Sequence, residues 1–102
     1  MKINKLEKKD LEQWTIILKF GSESCPPCKD LDIKLNLLEK ENIENLSIKI
    51  VSLDDNIEIM NHLIEEWIIK PFLSIPQTYI FKNWKKVFEL VGSDINKIKE
   101  NI

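Results

Sequence analysis

The sequence predicts an α/β domain with a mixed sheet of four to five strands and helices packed on both faces. Short runs rich in Ile, Val and aromatic residues alternate with longer segments whose apolar residues recur every three or four positions, the signatures of strands and helices respectively. The last two strand-like runs, Gln77 to Lys82 and Lys86 to Val91, are joined by Asn83-Trp84-Lys85, a spacing that implies an antiparallel hairpin. The earlier runs are joined by helical segments, which favour parallel strands and right-handed crossovers. A chain of 102 residues suffices for one core, so a single domain over residues 1–102 is expected.

In chain order, Lys2 to Leu6 reads as a short edge strand and Lys8 to Gln13 as a brief helical turn. Trp14 to Phe20 is almost continuously apolar, as suits a central strand covered on both faces. Gly21 and Ser22 end it. From Pro27 onward Cys28, Leu31, Leu35 and Leu38 mark an amphipathic helix of about 15 residues ending near Asn42. Leu46 to Leu53 reads as a second buried strand. Asp54-Asp55-Asn56 offers caps for a second helix, whose stripe of Ile57, Met60, Ile64 and Trp67 is expected to face the core. Lys70-Pro71 is expected to stop it. Gly92-Ser93-Asp94 ends the hairpin and caps a last helix, Ile95 to Ile102. Trp14 and Trp67 are expected in the core and Trp84 at an exposed turn, with Lys82, Lys85 and Lys86 on a solvated hairpin.

A formal net charge of -2 and a pI near 5.4 argue against a nucleic-acid or anionic-membrane partner, which would need clustered positive charge. Residues 1–10 are too polar for the apolar part of a secretory signal, and no run approaches the roughly 18–20 apolar residues that cross a bilayer. A cytoplasmic monomer is therefore expected. Two cysteines are too few for a disulfide scaffold, and in a reducing compartment such a close pair is one to be used.

Both cysteines lie in Ser24-Cys25-Pro26-Pro27-Cys28, between a strand and a helix. Thiol–disulfide exchange needs a thiolate that attacks and a second thiol that resolves the mixed disulfide. The unpaired N–H groups and partial positive charge of a helix N-terminus stabilise an anion, so Cys25 is expected to have a pKa lowered from about 8.5 towards 7 or below. Cys28 falls in series with Leu31 and Leu35, on the inward side. Cys25 is thus the expected nucleophile and Cys28 the resolving thiol. Neither Pro26 nor Pro27 has an N–H, so donors to Cys25 must come from Cys28 and beyond. A residue before proline avoids the helical region, so Pro26 is expected to be extended and the helix to begin at Pro27. A zinc site would need four ligands, and the sequence adds only His62 to the pair, so no metal is expected and His62 reads as a solvated helix residue.

With this order of elements the chain resembles the thioredoxin family over nearly its whole length. Cys25-Pro26-Pro27-Cys28-Lys29 is similar to the family's Trp-Cys-Gly-Pro-Cys-Lys. Ser74-Ile75-Pro76 resembles its Ile-cis-Pro-Thr segment and runs on into Ile80-Phe81-Lys82-Asn83, and Val91-Gly92 is similar to the end of its last strand. The resemblance implies a thioredoxin fold and a protein disulfide reductase working through Cys25 and Cys28, with no cofactor beyond that redox-active disulfide. Pro76 would be cis against the sulfurs and Ile75 would present its backbone to an extended substrate, with Pro26, Pro27 and Gly92 as further support. Protein disulfides would be the substrates, and a disulfide reductase would recharge the pair.

The departures from the family pattern are specific. Ser24 replaces a tryptophan, Pro26 a glycine and Trp84 the turn glycine, and the segment from Asp54 to Pro76 is longer. Lys19 falls where the family has a buried Asp, and Ile50 where the partnering Lys would be. With Lys19 beneath the site, no buried carboxylate is expected to take the proton of Cys28. A cation there would lower a thiol pKa and stabilise the reduced form, giving a more oxidising pair than in ordinary thioredoxins. The rival readings are a glutathione-dependent, glutaredoxin-like protein, a family that shares a proline-containing Cys-Pro-x-Cys, and a non-catalytic binding module of the same fold.

Overall fold

The computed structural model of the chain describes residues 15–72, 74–83 and 85–102; the expected strand at 2–6, the turn at 8–13, Trp14 and Trp84 lie outside them. The elements are β1 (Thr15–Gly21), α1 (Pro26–Glu39), β2 (Leu46–Ser52), α2 (Ile57–Glu65), β3 (Gln77–Lys82), β4 (Lys85–Val91) and α3 (Ile95–Lys99). Among the described residues they build a four-stranded mixed sheet in the order β2-β1-β3-β4.

β1 is buried at every position because both of its faces are covered. Alternate side chains point to opposite faces. Ile16, Leu18 and Phe20 pack with Val51, Tyr79 and Phe81 against Ile59 and Leu63 of α2. On the other face Ile17, Ile48, Ile50 and Ile80 meet Leu31, Leu35 and Leu38 of α1 and Ile98 of α3. Each such side chain contributes about 1.5–3 kcal/mol through burial, which is why the three-four spacing in α1 translated directly into its inward face.

β1 and β2 are parallel across α1, as expected, and β3 and β4 form the expected antiparallel hairpin. The α2 connection differs: it delivers β3 antiparallel to β1, with Gln77 opposite Phe20 and Lys82 opposite Thr15. β2 ends beside Gly21 and β3 begins beside Phe20, so this connection starts and finishes at one end of the sheet. A helix of 9 residues, about 14 Å long, provides the outward leg, and residues 66–76 bring the chain back.

α2 also corrects the expected stripe and stop. Its buried residues are Ile59 and Leu63, flanked by Met60 and Ile64, whereas Ile57 is exposed. Apolar residues occupy so much of this helix that spacing alone did not choose the face. The helix ends at Glu65, well before Pro71. The N–H of Trp67 donates to the Ile64 carbonyl at 3.1 Å and that of Ile68 to the Leu63 carbonyl at 2.9 Å, the paired bonds of a Schellman cap. Trp67 therefore adopts a left-handed φ of 60° and, contrary to the expected core position, is 93% exposed.

A left-handed conformation costs a residue with a Cβ about 1–2 kcal/mol, a penalty glycine avoids. Since Trp67 buries almost nothing, Trp67→Gly is expected to raise stability by about 1 kcal/mol, or about 4–8 °C in melting temperature. Thermal unfolding of the variant checks this, and a lowered melting temperature would assign Trp67 a packing role.

Candidate active site

Cys25 is the N-cap of α1, with extended backbone (φ −108°, ψ 105°), and Pro26 and Pro27 are the first two helical residues. The extended residue is thus Cys25, where Pro26 was expected. Proline is tolerated in the first turn because those N–H groups have no partner within the helix, and the helical turn from Pro26 keeps the Cys25 and Cys28 Cα atoms 5.2 Å apart. An extended Pro26 would lengthen that span. The two sulfurs are joined in a disulfide. The Cys28 N–H donates to Cys25 Sγ at 3.2 Å, the first donor the two prolines leave available. Cys25 is half-buried, while Cys28 is 0% exposed beneath the helix.

The loop that presents Cys25 is tied down from β2. Asp54 accepts from the Ser22 hydroxyl at 2.9 Å and from the Glu23 N–H at 2.8 Å. The Ser22 carbonyl in turn accepts from the Cys25 N–H at 3.3 Å. The Glu23 N–H and then the Ser22 hydroxyl hold the Asp54 carboxyl below its ordinary pKa. Asp54 therefore serves this loop, while the N-cap of α2 is Asn56, without a side-chain bond.

On the other side of the disulfide, the start of β3 closes in. The Ile75–Pro76 peptide is cis, as the resemblance implied, and the Ile75 carbonyl oxygen lies 4.0 Å from Cys25 Sγ. The Gly92 N–H donates to the Pro76 carbonyl at 3.0 Å. Gly92 has a φ of 113°, which a residue with a Cβ rarely adopts, and the space a Cβ would occupy there is open. Cys25, Cys28, Pro26, Pro27, Ile75, Pro76 and Gly92 are thus gathered in one place, and His62 stands apart on an exposed part of α2.

Lys19 lies beneath. It projects from β1 towards α1, is 2% exposed, and its Nζ is 2.6 Å from Oδ1 of Asp32, which is 25% exposed. A Cβ on Gly21 would stand 2.5 Å from Lys19 Nζ and 3.1 Å from Cys28 Cβ, so the ammonium and Cys28 are neighbours across this glycine. The helix thus supplies a partly exposed carboxylate that is ion-paired with this cation. Asp32 and Asp54 are the two site residues that sequence reasoning missed. Asp32 lies four residues beyond Cys28, so it shares that helix face, and a polar residue on an otherwise apolar face was the available signal. Nothing local marked Asp54 as a loop anchor. A cavity of about 220 Å³ opens beside the pair, lined in part by Lys19, Asp32, Lys29 and Ser52.

The fold and this disulfide invite comparison with known proteins. No protein-family model and no curated protein sequence matches the chain. Solved structures do. Thioredoxin from Fasciola hepatica is 22% identical with a TM-score of 0.70, the match covering 90% of this chain and 81% of that one. Oxidised thioredoxin from Plasmodium falciparum is 20% identical with a TM-score of 0.73, covering 97% and 90%. Thioredoxin from Trichomonas vaginalis is 21% identical with a TM-score of 0.73, again covering 97% and 90%. The chain has a thioredoxin fold.

Because the folded-state pKa of Asp54 is depressed, its bonds contribute fully above the ordinary carboxylate range and are lost as pH falls through the lowered value. Amide exchange at Glu23 is accordingly expected to accelerate on acidification relative to the sheet amides. Asp54→Ala is expected to show that faster exchange already at neutral pH, as read by hydrogen-exchange spectroscopy.

Proposed function

We propose that this protein is a small protein disulfide reductase acting through Cys25 and Cys28. The observation that carries the reading is the Cys25–Cys28 disulfide at a helix N-terminus, with one sulfur half-exposed beside the Ile75–Pro76 backbone and the other fully buried. In the reduced protein the Cys25 thiolate attacks one sulfur of a substrate disulfide. A mixed disulfide forms and the first substrate thiolate leaves. Cys28 loses its proton and attacks Cys25 Sγ, the second substrate thiolate leaves, and the Cys25–Cys28 bond closes. Two electrons have passed to the substrate, and a disulfide reductase must return them. The Cys28 N–H and the start of α1 favour the attacking thiolate, each unit of lowered pKa being worth about 1.4 kcal/mol. Ile75 supplies a backbone carbonyl beside the sulfur where an extended substrate would lie. The setting consistent with this chemistry is the reducing cytoplasm.

Reduction of a model protein disulfide by dithiothreitol, with catalytic amounts of this protein, tests the reading. Turnover is expected to vanish in Cys25→Ser, and Cys28→Ser is expected to trap a mixed disulfide at Cys25 visible by mass spectrometry. Equal activity in both variants and the wild type would remove the proposal. Activity sustained only by glutathione with glutathione reductase would point to the glutaredoxin-like chemistry instead.

The Lys19 ammonium beside Cys28 favours the reduced, thiolate-bearing form. The potential measured by equilibration with glutathione is therefore expected to lie above about −270 mV, and a value at or below it would contradict an oxidising role for Lys19.

A further inference from the structure

The side of the sheet beneath Cys28 is polar where the rest of that core is apolar. Cross-strand register sets Thr78 of β3 opposite Lys19 and Ser52 of β2 opposite Gly21. The hydroxyls of Thr78 and Ser52 are buried and make no hydrogen bond among the described residues. On β1, between those two strands, the Lys19 ammonium is paired with Asp32. Buried polar groups left in this state ordinarily mark a functional constraint, and Lys19 and Ser52 line the cavity beside the ion pair. The chain thus places an ammonium on the inner side of Cys28 and a carboxylate on the outer, partly solvated side of that ammonium.

We infer that Asp32 tunes the dithiol through Lys19: paired with the ammonium beside Cys28, it limits by its opposing charge how strongly that cation stabilises the thiolate. The inference rests on the redox reading above and adds to it the group that sets its strength. Two effects of opposite sign follow. With Lys19 removed, the cation beside Cys28 is lost, the Asp32 charge is left uncompensated, and the reduced form is disfavoured. With the Asp32 charge removed, the ammonium acts unopposed and the reduced form gains. Gly21 belongs to the same device, because a Cβ there would occupy the space next to the ammonium.

The test is equilibration of the protein with defined ratios of glutathione and its disulfide. Two glutathione thiols are oxidised to one disulfide as the Cys25–Cys28 bond accepts two electrons and opens. Lys19→Met is expected to lower the equilibrium constant for reduction of the protein, and Asp32→Asn to raise it. Each change should be on the order of tenfold, which corresponds to about 30 mV. The Lys19→Met/Asp32→Asn double variant is expected between the two single variants. A merely structural ion pair would move both single variants in the same direction or not at all, and either result overturns the inference. Asp32→Asn is close to isosteric at a partly exposed site, so the sign of its shift decides the matter even where Lys19→Met does not fold. A wild-type pair that never equilibrates with glutathione overturns the redox reading and this inference together. Normal wild-type equilibration with unshifted variants overturns the inference alone.

Discussion

The register that sets Gln77 opposite Phe20 is the constraint from which the site follows. Because β3 runs antiparallel to β1, the chain enters the sheet at Gln77 beside the strand end from which the Cys25 loop emerges. The cis Ile75–Pro76 step is thereby brought against the sulfur, although fifty positions separate Cys25 from Ile75 along the chain. A true crossover after α2 would have started β3 at the far end of the sheet and left the disulfide without this wall. The hairpin completes the arrangement: β4 returns along β3, and Gly92 closes onto the Pro76 carbonyl.

Around that constraint, the chemistry of the disulfide is local. Two prolines without N–H groups open α1, so the first donor the Cys25 sulfur meets is Cys28 N–H. The spacing that buries Leu31 and Leu35 also buries Cys28, and the N-cap position leaves Cys25 half in solvent. One helix therefore places the two sulfurs in a half-exposed and a sheltered position. The loop preceding them is held within itself by hydrogen bonds from the Ser24 and Cys25 N–H groups to Ser22. Asp54, just beyond β2, adds to these by accepting from Ser22 and Glu23.

Elements whose apolar residues could face only one way were legible beforehand. In α1 Cys28, Leu31, Leu35 and Leu38 recur at three- and four-residue spacing, and the structure buries those four while leaving Ile33 and Leu37 exposed. β1 allowed no choice at all, since it is buried at every position on both faces. α2 was different. Its surplus of isoleucines supports more than one face, and only packing against Phe20, Val51 and Tyr79 selected Ile59 and Leu63. Trp67 shows the same ambiguity at the helix end: hydrophobicity argued for burial, but the Schellman cap turned the chain and left the indole outside. The second crossover was misjudged because a helical pattern records that a helix exists and carries nothing about the path of the segment after it.

By itself, then, the sequence determined the properties that depend on near neighbours along the chain: the closely spaced cysteines, the proline-opened helix, the hairpin and a net charge of -2. Tertiary structure decided whatever required two distant segments to meet. The direction of β3, the anchoring of the Cys25 loop by Asp54, and the pairing of Lys19 with Asp32 all belong to that second class. Lys19 illustrates the division most plainly. Its position in an apolar strand was visible from the first, yet a buried ammonium is tolerable only beside an opposite charge, and that partner lay on a helix whose rotation against the sheet is set by the packing of the whole core.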